Sequence, residues 1–170
     1  QLTAWGVDHE THVTDTGIVA TVQGQNPEAR LVALRADMDA LPIQEANDVP
    51  YASTKPGVMH ACGHDNHMAI LMGAAEILAG MRKQLPGTIK FIFQPAEEGA
   101  PKGEEGGAKL MIDEGVLDNP SVDAIIGLHI SQGSKVGTAS YRALGFMASA
   151  QRFDIHIQGK QTHGARPWAG

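Results

Sequence analysis

The sequence predicts an α/β fold built on a mainly parallel sheet flanked by helices. Three observations predict it. Short β-rich runs alternate with longer helical stretches; Gly, Pro, Asn and Asp punctuate the joins; and one helical stretch, 65–81, is apolar almost all round, the pattern of a helix buried on several sides.

Taken in order, residues 18–22 and 31–35 predict the first two strands, and 88–94, 123–130 and 135–141 predict three more. The helix over 65–81 carries Met68, Ile70, Leu71, Ala74, Ala75, Ile77 and Leu78, with Asp65 placed to cap its start. A second helix is expected over about 106–114, with Gly115 in the left-handed position that ends it. Pro86-Gly87 supplies the turn into the strand at 88. Strand, helix, strand, helix, strand over 31–130 implies right-handed crossovers and a parallel sheet covered by helices. Beyond Leu144 the pattern changes. Phe153, Ile155 and Ile157 alternate with polar neighbours over 151–158, as in a strand buried on one face. Residues 1–144 therefore predict one domain and 145–170 the start of a second.

Composition excludes several function classes. The 170 residues are 42% hydrophobic with a formal charge of −6, which fits a globular chain rather than a disordered or fibrous one. No Lys/Arg cluster offers the concentrated positive charge that nucleic acid needs, so no nucleic-acid partner is expected. No apolar run approaches the roughly 20 residues of a membrane span, so no membrane partner is expected either. A single cysteine cannot form an internal disulfide and suits a reducing compartment, from which a cytoplasmic location is expected. The chain starts at Gln1 without a Met, and both ends read as cut.

The chemistry-bearing residues fall where ligands bind in open α/β sheets, outside the carboxyl ends of the strands. The strand from 31 runs into Asp37-Met38-Asp39, the strand from 88 into Pro95-Ala96-Glu97-Glu98, and the strand from 123 closes on Leu128-His129-Ile130. The run His60-Ala61-Cys62-Gly63-His64-Asp65-Asn66-His67 precedes the long helix and can reach the same edge. Cys62 and His64 are two apart, so their side chains leave an extended segment on one side and can converge on one ion or on two adjacent ions. Glu97 and Glu98, if extended, point in opposite directions, one towards metal and one towards substrate. Thiolate, imidazole, carboxylate and a second imidazole from His129 form a mixed set suited to zinc or another late first-row ion. The remaining carboxylate is then free to act on a water proton.

Blander readings exist for each residue. A lone cysteine is commonly a small buried apolar residue, and a histidine in an apolar run a core residue bonded to a carbonyl. The flanking His64 and the strand-end position of His129 favour ligation. Glu104-Glu105 is an ordinary solvated pair; Glu97-Glu98 differs in following a hydrophobic strand directly. Asp37 and Asp39 suit either a turn before Pro42 or support of the ligands. His9, His12 and His156 have no such company and default to surface or packing.

The runs Leu34-Arg35-Ala36-Asp37-Met38-Asp39-Ala40-Leu41-Pro42-Ile43, Met59-His60-Ala61-Cys62-Gly63-His64-Asp65-Asn66-His67 and Phe93-Gln94-Pro95-Ala96-Glu97-Glu98-Gly99 together resemble the M20 amidohydrolases. The branch concerned holds hippurate hydrolases, N-acyl-amino-acid deacetylases and plant auxin-conjugate hydrolases. Gly127-Leu128-His129 and Gly159-Lys160-Gln161-Thr162-His163-Gly164-Ala165-Arg166-Pro167 are similar to later motifs of that branch. The resemblance implies a zinc-exopeptidase-like domain followed by the start of an α+β lid and dimerisation domain, and two divalent ions, zinc or manganese, cobalt or nickel. It implies metal ligation by Cys62, His64, Glu98 and His129, Glu97 as general base, and substrate binding by His163, commonly across a homodimer interface. The implied substrate is an N-acyl amino acid. A dinuclear metallo-dipeptidase or carboxypeptidase of the same superfamily, and a catalytically silent fragment, are the alternatives. Family members are longer and supply a final His ligand, so this chain is expected to be a part.

Overall fold

A computed structural model of the chain describes residues 1–100, 103–149 and 153–170. It divides into two units, Gln1–Gly133 and Ser134–Gly170.

Among its described residues, the first unit holds one five-stranded sheet and two α-helices. The strands are β1 (Asp8–Val13), β2 (Gly17–Gln23), β3 (Leu31–Asp37), β4 (Thr88–Gln94) and β5 (Ala124–Gly127), and the helices are α1 (His64–Gly80) and α2 (Gly107–Asp113). Their spatial order is β1-β2-β4-β3-β5. β3 runs parallel to both β4 and β5, with Leu34 opposite Phe91 and Ile126. This is the predicted parallel core, with α1 in the β3–β4 crossover and α2 in the β4–β5 crossover. β2 joins β4 antiparallel and β1 joins β2 antiparallel, so the whole sheet is mixed.

β4 explains why the core sits where it does. Phe91 and Phe93 face Leu71, Ala75 and Ala79 of α1, together with Ala20, Val22 and Ala36. Ile92, between them in sequence, faces the other way, onto Ala33, Val13, Met111 of α2 and Val116. A strand covered on both faces must be apolar at successive positions, which is what Phe91-Ile92-Phe93 provides. Lys90 is the exception. It is buried, and its ammonium donates to the carbonyls of Val116 (2.7 Å), Asn119 (3.2 Å) and Pro120 (3.0 Å), fastening the loop after α2 to the sheet.

Several expectations need correction. β1 was not predicted, because its sequence DHETHV is polar; all but Val13 are exposed along that sheet edge. β5 is shorter than the predicted 123–130 and leaves His129 two residues past its end. The N-cap of α1 is Gly63, with Asp65 in the first turn. No strand forms over 135–141 or over 153–158. An alternating apolar pattern becomes a strand only beside a partner that completes its ladder, and the described residues of the second unit supply none. Gln151 and Arg152, the start of the second of those segments, lie outside the described residues. The short 3-10 turn Pro167–Ala169 is the regular structure described in that unit.

Candidate metal centre

The carboxyl ends of β3, β4 and β5 and the start of α1 bring Cys62, His64, Glu97, Glu98 and His129 together in the first unit. One potential ligand atom each from Cys62, His64 and His129 lie within 4.8 Å of one another, and so do those from His64, Glu97 and Glu98. His64 is common to both sets.

Hydrogen bonding fixes the state of His64. Its Nδ1 lies 2.9 Å from the Asp39 carbonyl and 3.1 Å from the Asp39 carboxylate. A carbonyl only accepts, so Nδ1 carries the proton and Nε2 presents a lone pair. That Nε2 is buried without a hydrogen-bond partner, 3.8 Å from a Glu97 oxygen and 3.9 Å from a Glu98 oxygen. An unsatisfied buried nitrogen costs about 1–3 kcal/mol, and one with a third carboxylate, Asp37, 3.7 Å away is suited to share a cation with its acidic neighbours.

His129 repeats the pattern. Its Nδ1 lies 2.5 Å from the Ile130 carbonyl, and its Nε2 lies 3.3 Å from Cys62 Sγ. The Cys62 thiol is pushed up to about 11, first by burial, then by a hydrogen bond to Glu98 and by the negative charge of Glu98, Glu97 and Asp37. Without a cation it keeps its proton; a soft divalent ion would displace that proton.

The two glutamates do not diverge as an extended segment would make them. Ala96 takes φ 48, in the left-handed region, and Glu97 and Glu98 follow in a bend that brings both carboxylates near His64 Nε2. Asp39 holds this bend by accepting the Glu98 backbone N–H at 2.8 Å. Gly107 lets α2 press against it: a Cβ there would lie 1.8 Å from the Pro95 carbonyl oxygen.

Asp37 and Asp39 are therefore tied to histidines rather than to the turn before Pro42. Asp37 is buried against Arg35 (2.6 Å) and His67 (2.6 Å). Burial works to raise its pKa, but the His67 hydrogen bond and the Arg35 guanidinium, with the adjoining His64 and His67 rings, outweigh it and hold the carboxyl below the usual range. Sequence reasoning assigned no role to His67. Its signal was the spacing from His64, since three residues along a helix share a face. His163 lies in the second unit, exposed in a turn where its Nδ1 accepts from the Ala165 N–H.

The description of the peptidase family M20/M25/M40 matches residues 33–168. The chain belongs to that family. Among M20 relatives, the N-acyl-L-amino acid amidohydrolase of Geobacillus stearothermophilus is 48% identical over 154 residues, which are 91% of this chain and 40% of that protein. The thermostable carboxypeptidase 2 of Saccharolobus solfataricus is 45% identical over 152 residues, 89% of this chain and 37% of that protein. A solved structure, the Bacillus subtilis YXEP protein, described as a dinuclear metal binding peptidase from the M20 family, matches with TM-score 0.70 and 41% identity over 78% of this chain and 35% of that one. The chain thus spans about two-fifths of the length of the curated M20 relatives it matches. Its fold is the mixed α/β architecture of the M20 hydrolases. Among the described residues, no helix is long and apolar enough to cross a membrane.

Proposed function

We propose that the protein containing this chain hydrolyses the amide bond of N-acyl amino acids, giving a carboxylic acid and a free amino acid, with two divalent ions. The observation that carries the reading is the buried Nε2 of His64, without a hydrogen-bond partner, on a residue common to the Cys62–His64–His129 and His64–Glu97–Glu98 clusters. Cys62, His64, Glu98 and His129 would hold the ions, zinc or manganese, cobalt or nickel. When bound, such ions polarise an amide carbonyl and make water a better nucleophile at neutral pH.

The chain's own groups do the rest. Asp39 keeps the His64 proton on Nδ1 and anchors the Glu98 backbone. Glu97, the more exposed of the two carboxylates, takes the proton of the attacking water and delivers it to the leaving nitrogen. A cleft of about 660 Å³ opens beside Glu98, walled by Met38, Leu41, Pro42, Pro95 and Ala96. Its size and largely apolar wall suit an acyl group.

The substrate class is supported by the resemblance and by the amidohydrolase relative. The carboxypeptidase relative favours a second reading, cleavage of a peptide bond with the same groups. Substrate binding by His163 and a homodimer through a lid belong to the proposal on resemblance alone, and a second domain from residue 145 rests on the change of sequence pattern there. Turnover of N-acetyl, N-benzoyl and dipeptide substrates by the intact protein distinguishes the two readings. In Glu97→Gln, amide hydrolysis should vanish with the ions still bound; retained hydrolysis would sink the general-base role.

A further inference from the structure

His67 uses both ring nitrogens on the protein. Its Nε2 accepts the Ile130 backbone N–H at 3.0 Å, so its proton sits on Nδ1, which donates to Asp37 at 2.6 Å. Asp37 is held in turn by Arg35 at 2.6 Å, and Arg35 by Gln94 at 2.8 Å. The file Gln94–Arg35–Asp37–His67–Ile130 thus ties the carboxyl ends of β4, β3 and β5 to the first turn of α1. It ends on the peptide immediately after His129.

We propose that His67 is a positioning residue for the metal centre: locked as its Nδ1–H tautomer, it anchors the Ile130 backbone and so aims His129 Nε2 at Cys62. The inference rests on the metal-centre reading above. Asp37, His64 and His67 also lie close enough together to form a ligand set of their own. Both Asp37 oxygens and both His67 nitrogens are already engaged, which makes this pair a support rather than a binder. Two further contacts point the same way. The His67 ring meets that of His129 edge-on, with centroids 4.7 Å apart at 72°. The Ile130 side chain packs so close to the Cys62–His64 loop that a Cβ on Gly63 would lie 2.5 Å from its Cδ1. Fixing Ile130 therefore fixes His129 against Cys62.

Two substitutions separate this role from plain packing. His67→Asn keeps a donor near Asp37 and loses reach to Ile130; His67→Gln places a carbonyl oxygen near the former Nε2, where it can accept from Ile130. In the metal-free intact protein, nitrogen NMR of labelled histidine should show His67 as the Nδ1–H tautomer. Hydrogen exchange at Ile130 should quicken at least about tenfold in His67→Asn and recover in His67→Gln, with Phe91 in β4 unchanged. Co²⁺ affinity, read from the thiolate-to-cobalt absorption band, should weaken about tenfold in Asn and recover in Gln. An Nε2–H tautomer in the wild type, or native Ile130 protection and Co²⁺ affinity in His67→Asn, would overturn the proposal. Failure of Gln to rescue while the wild type binds Co²⁺ normally would also overturn it. A wild type that takes up no Co²⁺ defeats the metal-centre reading itself, and the aiming of His129 with it.

Discussion

Asp39→Asn is the sharpest probe of how the centre is held. The Asp39 carboxylate accepts two donors, His64 Nδ1–H at 3.1 Å and the Glu98 backbone N–H at 2.8 Å. Asparagine keeps one accepting oxygen and turns an NH₂ towards the other donor, so one of the two bonds is lost. A hydrogen bond to a charged acceptor contributes about 1.5–3 kcal/mol. The Asp39 backbone carbonyl, at 2.9 Å, still accepts from His64, so the tautomer survives and the loss falls on the bend carrying Glu98. With the side chain 19% exposed, the lower end applies, about 1.5 kcal/mol or tenfold in metal affinity. Calorimetric titration with Zn²⁺ or Co²⁺, beside a thermal melt to confirm folding, measures it. Unchanged affinity in a folded variant would refute the view that Asp39 organises the site.

Gly107→Ala must displace the Pro95–Glu98 loop or α2, and should cost about 1–3 kcal/mol in a denaturant melt, with amide hydrolysis falling further than stability. Lys90→Met leaves the carbonyls of Val116, Asn119 and Pro120, the first of them buried, without their donor and should lower stability by about 2 kcal/mol; an unchanged melting midpoint would show the clamp to be dispensable. Because the free Cys62 thiol is raised to about 11, ion uptake near neutral pH must expel its proton. Affinity should therefore rise towards about tenfold per pH unit above pH 7 and lose that slope in Cys62→Ala, measured by calorimetry in buffers of different ionisation heat.

The parallel core was legible because β3, β4 and α1 carry runs of apolar residues with period and punctuation that leave few alternatives. β1 was not, because DHETHV lacks the apolar alternation that marks a strand; it is held by its ladder to β2. The segment at 135–141 shows the converse, a β-rich run that pairs with nothing among the described residues. At the centre, residue types and strand-end positions pointed to Cys62, His64, Glu97, Glu98 and His129. Their directions were beyond reach. The convergence of Glu97 and Glu98 depends on a left-handed Ala96, a conformation that alanine does not announce, and the file through Asp37 and His67 depends on tertiary contacts.

Cys62 and His129 stand 67 residues apart in the chain and meet only when β3, β4 and β5 are in register. An unfolded chain keeps only the local pair Cys62 and His64, so an ion that binds here binds the native state more tightly. At a free concentration one hundred times its dissociation constant, it would add at most about 2.7 kcal/mol to the folding free energy. The same ion would then act as a late proofreader of folding: chains with the sheet misregistered could not retain it, and chelation should loosen first the β5 end, where His129 enters.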